Sequence, residues 1–389
     1  MDVQTQSCID QLLLDQGELT PLDFLLAQGH LQYGDYEAWR QGATTPLAQH
    51  LFGDTAQIVR SLRDLADYAR SLGLAPEPVC YTPWGGGQPL TFSRDETLDR
   101  LFHQVYRKPA DQPQLDLFMD SAGTSLANGI MLALTRRDVT EAGTLLGTLY
   151  RADPGHPHLG ALERLVEAAH ASETPAGDPR ETLRELQEEI LPLAEALLGR
   201  ESRHFLVPLW RRLGAALKTH PFDPARPALH ASYTASRALD WQAVLDSVEA
   251  EPDRRDQPIL LRRHARACEH LRRAADALMD QFELCWRFPA QAIPAPADTG
   301  AEMTRAWQMF HNLEPELEVP VFPAWLLILR PALANWLPQP ETKAPRDYRL
   351  VFALQRTGGD AVSLRAQVKA LNPALFRHFI RAQGTLRLP

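Results

Sequence analysis

Apolar residues recur at helical spacing along most of the chain, and prolines and glycines cut the pattern into short runs. Thr20 followed by Pro21 is an N-cap and first-turn signal, so PLDFLLAQG, closing on Gly29, predicts a short helix. Asp54 predicts the cap of a longer one, in which Ile58, Leu62, Leu65, Ala69 and Leu72 repeat until Gly73 stops it. Ser93 and Glu96 then have capping-box spacing, which predicts a helix from Ser93 to about Tyr106. From Leu126 the pattern changes to pairs of short helices. LANGIMLALTRRD and VTEAGTLLGTLYRADP meet at Asp138, LHASYTASRALDWQAVLDSVEAEP turns at Asp240, and a third pair runs from Ile259 into AADALMDQFELCWRFP. Between the first two pairs, DPRETLRELQEEILPLAEALLG and RESRHFLVPLWRRLGAALKTH predict two helices separated by Gly199. DYRLVFALQR fits helix or strand, and Asn372-Pro373 opens a last helix ending near Gln383.

Strand signals are otherwise scarce, and the expected fold class is all-α. This pattern of helices and breaks divides the chain into an N-terminal helical domain, 1–108, a connecting segment, 109–123, a helical array, 124–290, and a C-terminal helical region, 291–389. The array resembles the tetratricopeptide (TPR) repeat, whose second helix carries small and large apolar residues and a closing proline. Ala142, Leu146, Leu149 and Pro154 fall at that spacing, and Leu126 and Ala133 fit the first helix, while Gly129 sits one place before the family's small residue, where this chain has Ile130. Ala243 and Ala277, with Leu284 and Pro289, mark two further degenerate copies, and the two alanines keep the repeat's 34-residue period, although Pro252 and Pro289 do not. The resemblance implies stacked helix pairs with a groove that binds peptides or proteins.

Charge and composition narrow the function. A net charge of -9 disfavours direct gripping of a nucleic-acid backbone. Cys8, Cys80, Cys268 and Cys285 are far apart and lack CxxC spacing, which predicts reduced thiols in a cytoplasmic setting and no disulfide framework. The N-terminus shows no secretory pattern. The most apolar stretch, Val319 to Pro338, is broken by Pro320, Pro323, Arg330 and Pro331, well short of the roughly 20 residues that span a bilayer. No membrane association is expected.

Several motifs could carry chemistry. Gln114, Leu115, Leu117 and Phe118 match the QLxLF form of the bacterial sliding-clamp-binding peptide, in which glutamine makes polar contacts and the apolar side chains fill a pocket. The competing expectation is that these side chains pack against the first helix pair. Glu167 with His170, and Glu201 with His204, place a carboxylate and an imidazole on one helix face, as in di-iron bundles, with Glu189 and Glu195 as the remaining donors. His156 and His158 in GHPH predict a turn. Gly85-Gly86-Gly87 lacks a phosphate-loop pattern and predicts a turn beside Trp84. The aromatic and basic residues of YGDYEAWRQG and LCWRFP suggest base stacking only if their rings are exposed. No catalytic constellation and no cofactor motif emerges. The expected function is a protein-protein interaction adaptor or scaffold. The alternatives are a replication or repair accessory recruited to the sliding clamp through QLDLF, and a helical metalloenzyme.

Overall fold

The structure is a computed structural model that describes residues 3–16, 18–43, 46–107, 122–292, 301–357 and 362–385. The fold is all-α, with one two-stranded ribbon among the described residues. The chain divides into two compact units, Met1–Arg212 and Leu213–Pro389.

In the first unit, helices α1 (Val3–Gln16), α2 (Pro21–Ala27), α3 (Tyr33–Arg40) and α4 (Thr55–Ser71) precede strand β1 (Ala75–Pro78), helix α5 (Glu96–Phe102) and strand β2 (Gln104–Arg107). The Thr20 hydroxyl caps α2 by accepting from the Asp23 amide, and Asp54 caps α4 by accepting from Ala56. The predicted helix from Ser93 to Tyr106 is corrected at both ends. Asp95, not Ser93, is the cap, accepting from the Thr97 and Leu98 amides. Val105 and Tyr106 leave the helix because β2 pairs antiparallel with β1, and Tyr106 exchanges two backbone hydrogen bonds with Leu19. The rest of this unit comprises α6 (Ala122–Arg136), α7 (Val139–Ala152), α8 (Leu159–Ala171), α9 (Pro179–Glu185), a π-helical turn over Leu186–Ile190, and α10 (Leu191–Leu198). The division between the units falls within α11 (Ser202–Leu217).

The second unit continues with α12 (Ala231–Arg237), α13 (Trp241–Glu249), α14 (Pro258–His270), α15 (Ala274–Arg287), α16 (Ala301–His311), α17 (Phe322–Leu329), α18 (Arg346–Arg356), α19 (Val362–Leu371) and α20 (Pro373–Thr385). DYRLVFALQR is therefore helix, and the apolar stretch from Val319 lies largely in α17, whose Phe322 to Ile328 are all buried. Two cores organise the unit. Trp241, Val244, Leu245, Val248, Leu260 and Cys268 join α13 to α14, while Phe282, Trp307, Phe310, Phe322 and Tyr348 anchor the core shared by α15 to α20.

One turn recurs in three helix pairs, α6 with α7, α12 with α13, and α14 with α15. Arg137, Leu239 and Arg272 each adopt a left-handed backbone, with φ of 61°, 58° and 61°. In each case the next amide reaches back to a carbonyl of the preceding helix: Asp138 to Ala133 at 2.9 Å, Asp240 to Ala235 at 3.0 Å, and Arg273 to Cys268 at 2.8 Å. The left-handed residue's own amide bonds three residues back, which completes a Schellman stop. The residue after the stop also begins the next helix. Asp138 and Asp240 cap it by accepting from Glu141 and Ala243, whereas Arg273 makes no side-chain cap.

This shared turn fixes the register of the three pairs and corrects one expectation. The residue five places after the left-handed position is Ala142, Val244 or Ala277, all buried, so Val244 and not the half-buried Ala243 occupies the equivalent position. The left-handed residues Leu239 and Arg272 are 33 residues apart.

Candidate functional site

A cleft of about 560 Å³ in the second unit brings together the most unusual polar chemistry among the described residues. Its lining includes His264 of α14 and Asp280, Glu283 and Trp286 of α15, with Arg254 and Arg255 from the turn before α14. Helical spacing places His264 and Cys268 one turn apart on α14, and Asp280 and Glu283 one turn apart on α15. The Arg272 turn then folds α15 back along α14, so the two polar faces meet.

At the floor of the cleft, His264 Nδ1 lies 2.5 Å from Asp280 Oδ2 and 3.7 Å from Cys268 Sγ. The other ring nitrogen, Nε2, lies 3.3 Å from Glu249 Oε1. All three residues of the inner cluster are buried. Burial alone would lower the His264 pKa, but the hydrogen bonds to Asp280 and Cys268 and the Asp280 charge outweigh it and raise the value to about 10. Burial pushes Asp280 up while its bond to His264 opposes that shift.

The walls are left with unmet hydrogen-bonding capacity. Glu283 is only 9% exposed and uses Oε1 to pair with Arg255 at 2.6 Å, while its Oε2 has no partner. Arg254 Nη1 and Trp286 Nε1 are also buried without partners. An unpaired buried donor or acceptor costs about 1 to 3 kcal/mol, so three in one cleft describe a surface suited to a polar occupant.

Gln114, Leu115, Leu117 and Phe118 lie outside the described residues. The Glu167 carboxylate bonds Arg164 at 2.5 Å, and Glu189 is also held by Arg164, at 2.6 Å. Glu195 is exposed, as is His170. Glu201 pairs with the buried Arg40 at 3.0 Å, and His204 Nδ1 donates to the Thr135 carbonyl at 3.0 Å. The two Glu-x-x-His pairs therefore serve separate networks and do not converge on one centre. His156 accepts from the His158 amide in the turn before α8. Gly86 and Gly87 have φ of 84° and 133° beside the buried Trp84. Tyr36 and Trp39 are fully buried, with Arg40 packed over Tyr36, Tyr81 and Trp84, so these two rings are unavailable to a nucleobase, whereas Tyr33 is exposed.

The His264, Cys268 and Asp280 cluster has neither CxxC nor Glu-x-x-His spacing and is not among the sequence-predicted sites. The available signal was His and Cys four apart in PILLRRHARACEH, followed by an acid on the next apolar helix. No helix among the described residues is long and apolar enough to cross a membrane. Comparison with protein families, curated proteins and solved structures finds no match.

Proposed function

We propose that the chain is a protein-binding scaffold built on a degenerate, TPR-like array of helix pairs. The observation that supports this reading is the same left-handed stop and immediate restart in three helix pairs, at Arg137, Leu239 and Arg272. A pair of short helices buries one side against its neighbours and leaves the other available, which is the arrangement that repeat proteins use to hold extended partners. Fold alone does not name the partner.

The test is capture of binding proteins with the full chain as bait, followed by hydrogen exchange on each purified complex. The scaffold reading expects partner-dependent protection of α6–α7 or α12–α15. Protection confined to other helices, or no protein retained, would count against it.

A further inference from the structure

We propose that His264, Cys268 and Asp280 form a binding site for a divalent d-block cation of the zinc class, open on one side to the cleft described above.

The shared turn provides an internal control. Counting from the left-handed residue, His264, Cys268 and Asp280 stand eight before, four before and eight after Arg272. The same places around Leu239 hold Ala231, Ala235 and Ser247, and around Arg137 they hold Gly129, Ala133 and Leu145. These positions face one another across a pair, since a Cβ at Gly129 would lie 3.2 Å from Leu145 Cδ1. Two of the three pairs thus form the turn with small or apolar residues where α14–α15 buries an imidazole, a thiol and a carboxylate. The pair does not need these groups to fold, and burying them costs free energy unless they are paired or hold an ion.

The donor set matches the cation. Zinc takes histidine nitrogen, thiolate sulfur and carboxylate oxygen at roughly 2.0 to 2.3 Å, which sets ligand atoms roughly 3.3 to 3.8 Å apart in a tetrahedron. Nδ1 and Sγ are already 3.7 Å apart, and all three ligand atoms lie within 4.8 Å of one another. Nδ1 and Oδ2, now 2.5 Å apart, would separate by about 1 Å to hold the cation between them. The protons displaced from His264 and Cys268 go to solvent. Beyond the ligands, Glu249 sits 3.3 Å from the other imidazole nitrogen, the position in which an outer carboxylate orients a metal-bound histidine. Glu249 is itself held by Arg273 at 3.5 Å. Three protein ligands leave a fourth position, and the unpartnered Glu283 Oε2, Arg254 Nη1 and Trp286 Nε1 line the cleft that such a position would face.

The test uses the full chain, stripped with a chelator and titrated with Co2+ alone. Saturable binding of one equivalent, with a near-ultraviolet thiolate-to-cobalt band and competition by Zn2+, is the expected result. Cys268→Ser should abolish the thiolate band while far-ultraviolet circular dichroism stays unchanged. Glu249→Gln, which leaves all three ligands in place, should weaken Co2+ binding about 10- to 100-fold and keep the band. If Cys268→Ser does not fold, Asp280→Asn serves in its place and should weaken binding at least 10-fold with the band retained. A band that survives Cys268→Ser, or the absence of saturable Co2+ absorption in the wild type, overturns the site.

Discussion

The three helix stops at Arg137, Leu239 and Arg272 use residues poorly suited to their backbone. A left-handed residue with a Cβ costs about 1 to 2 kcal/mol, which is why glycine usually fills the place, as it does at Gly29, Gly42 and Gly73 in this chain. Arg272, whose side chain is exposed, is the one to test, whereas Leu239 packs on the α13–α14 core and Arg137 is half-buried. Arg272→Gly relieves the strain and gives back part of the gain through a freer unfolded chain. The expected net effect is stabilisation of α14–α15 by about 0.5 to 1 kcal/mol, read as slower hydrogen exchange of that pair. The opposite sign is expected at the restart. Asp240→Ala removes the acceptor of the Ala243 amide and should cost about 1 kcal/mol, whereas Asp240→Asn should cost little. Differential scanning of the two variants beside wild type measures the contrast.

At the scale of elements, the helix caps were legible and the helix stops were only half so. Thr20 and Asp54 cap the helices as their sequence context predicts, and Asp138 and Asp240, expected only as the junctions of their pairs, prove to cap α7 and α13. The non-glycine stops left no turn signal, because arginine and leucine adopt the left-handed region only when the surrounding pair imposes it. That hidden stop is also why the sequence spacing points to Ala243 where Val244 fills the position. Ser93 misled for a related reason: Ser93 and Asp95 compete as caps, and Asp99 settles the matter by accepting from the Phe92 and Ser93 amides. The His264 cluster was illegible as a unit because Asp280 belongs to a different helix and arrives only through the Arg272 turn. Close packing between elements offers a further test. A Cβ on Gly214, near the end of α11, would meet Thr234 Oγ1 of α12 at 2.9 Å. Thr234 is fully buried and donates to the Ala231 carbonyl at 3.0 Å, so its hydroxyl has no free direction to swing. Gly214→Ala should therefore destabilise by about 1 kcal/mol or more, the overpacking exceeding the gain in helix propensity. In a Thr234→Ala background the clashing atom is gone and the same substitution should become stabilising. Chemical denaturation of the four proteins in this cycle would show the change of sign.

At the scale of the whole molecule, each compact unit holds a histidine whose pKa its surroundings lower, and the two shift stability in the same direction. His204 in the first unit has its pKa lowered by burial and by the Arg137 charge, although the Thr135 carbonyl opposes the shift. His230 in the second is lowered chiefly by burial, with Arg263 adding to it and Glu251 opposing. A folded pKa below the unfolded value of 6.5 means that the unfolded chain binds protons first as the pH falls. The stability contributed by each histidine is therefore complete above pH 6.5 and declines as the pH drops toward the folded value. The slope reaches at most about 1.4 kcal/mol per pH unit for each histidine. For His230 the loss has a specific structural origin. Its Nδ1 accepts from the Ser232 amide at 3.3 Å and so caps α12, while Nε2 lies 3.3 Å from Glu251. Protonation converts Nδ1 from acceptor to donor and removes the cap. His230→Asn keeps a capping oxygen and does not titrate, so its stability should fall less steeply between pH 6.5 and 5 than that of wild type. His204→Gln should flatten the same limb for the first unit and leave the Ser232 amide of the second unaffected. Hydrogen exchange followed by mass spectrometry at several pH values separates the units. An unchanged acid limb in His230→Asn would show that protonation at this cap does not govern the stability of the second unit.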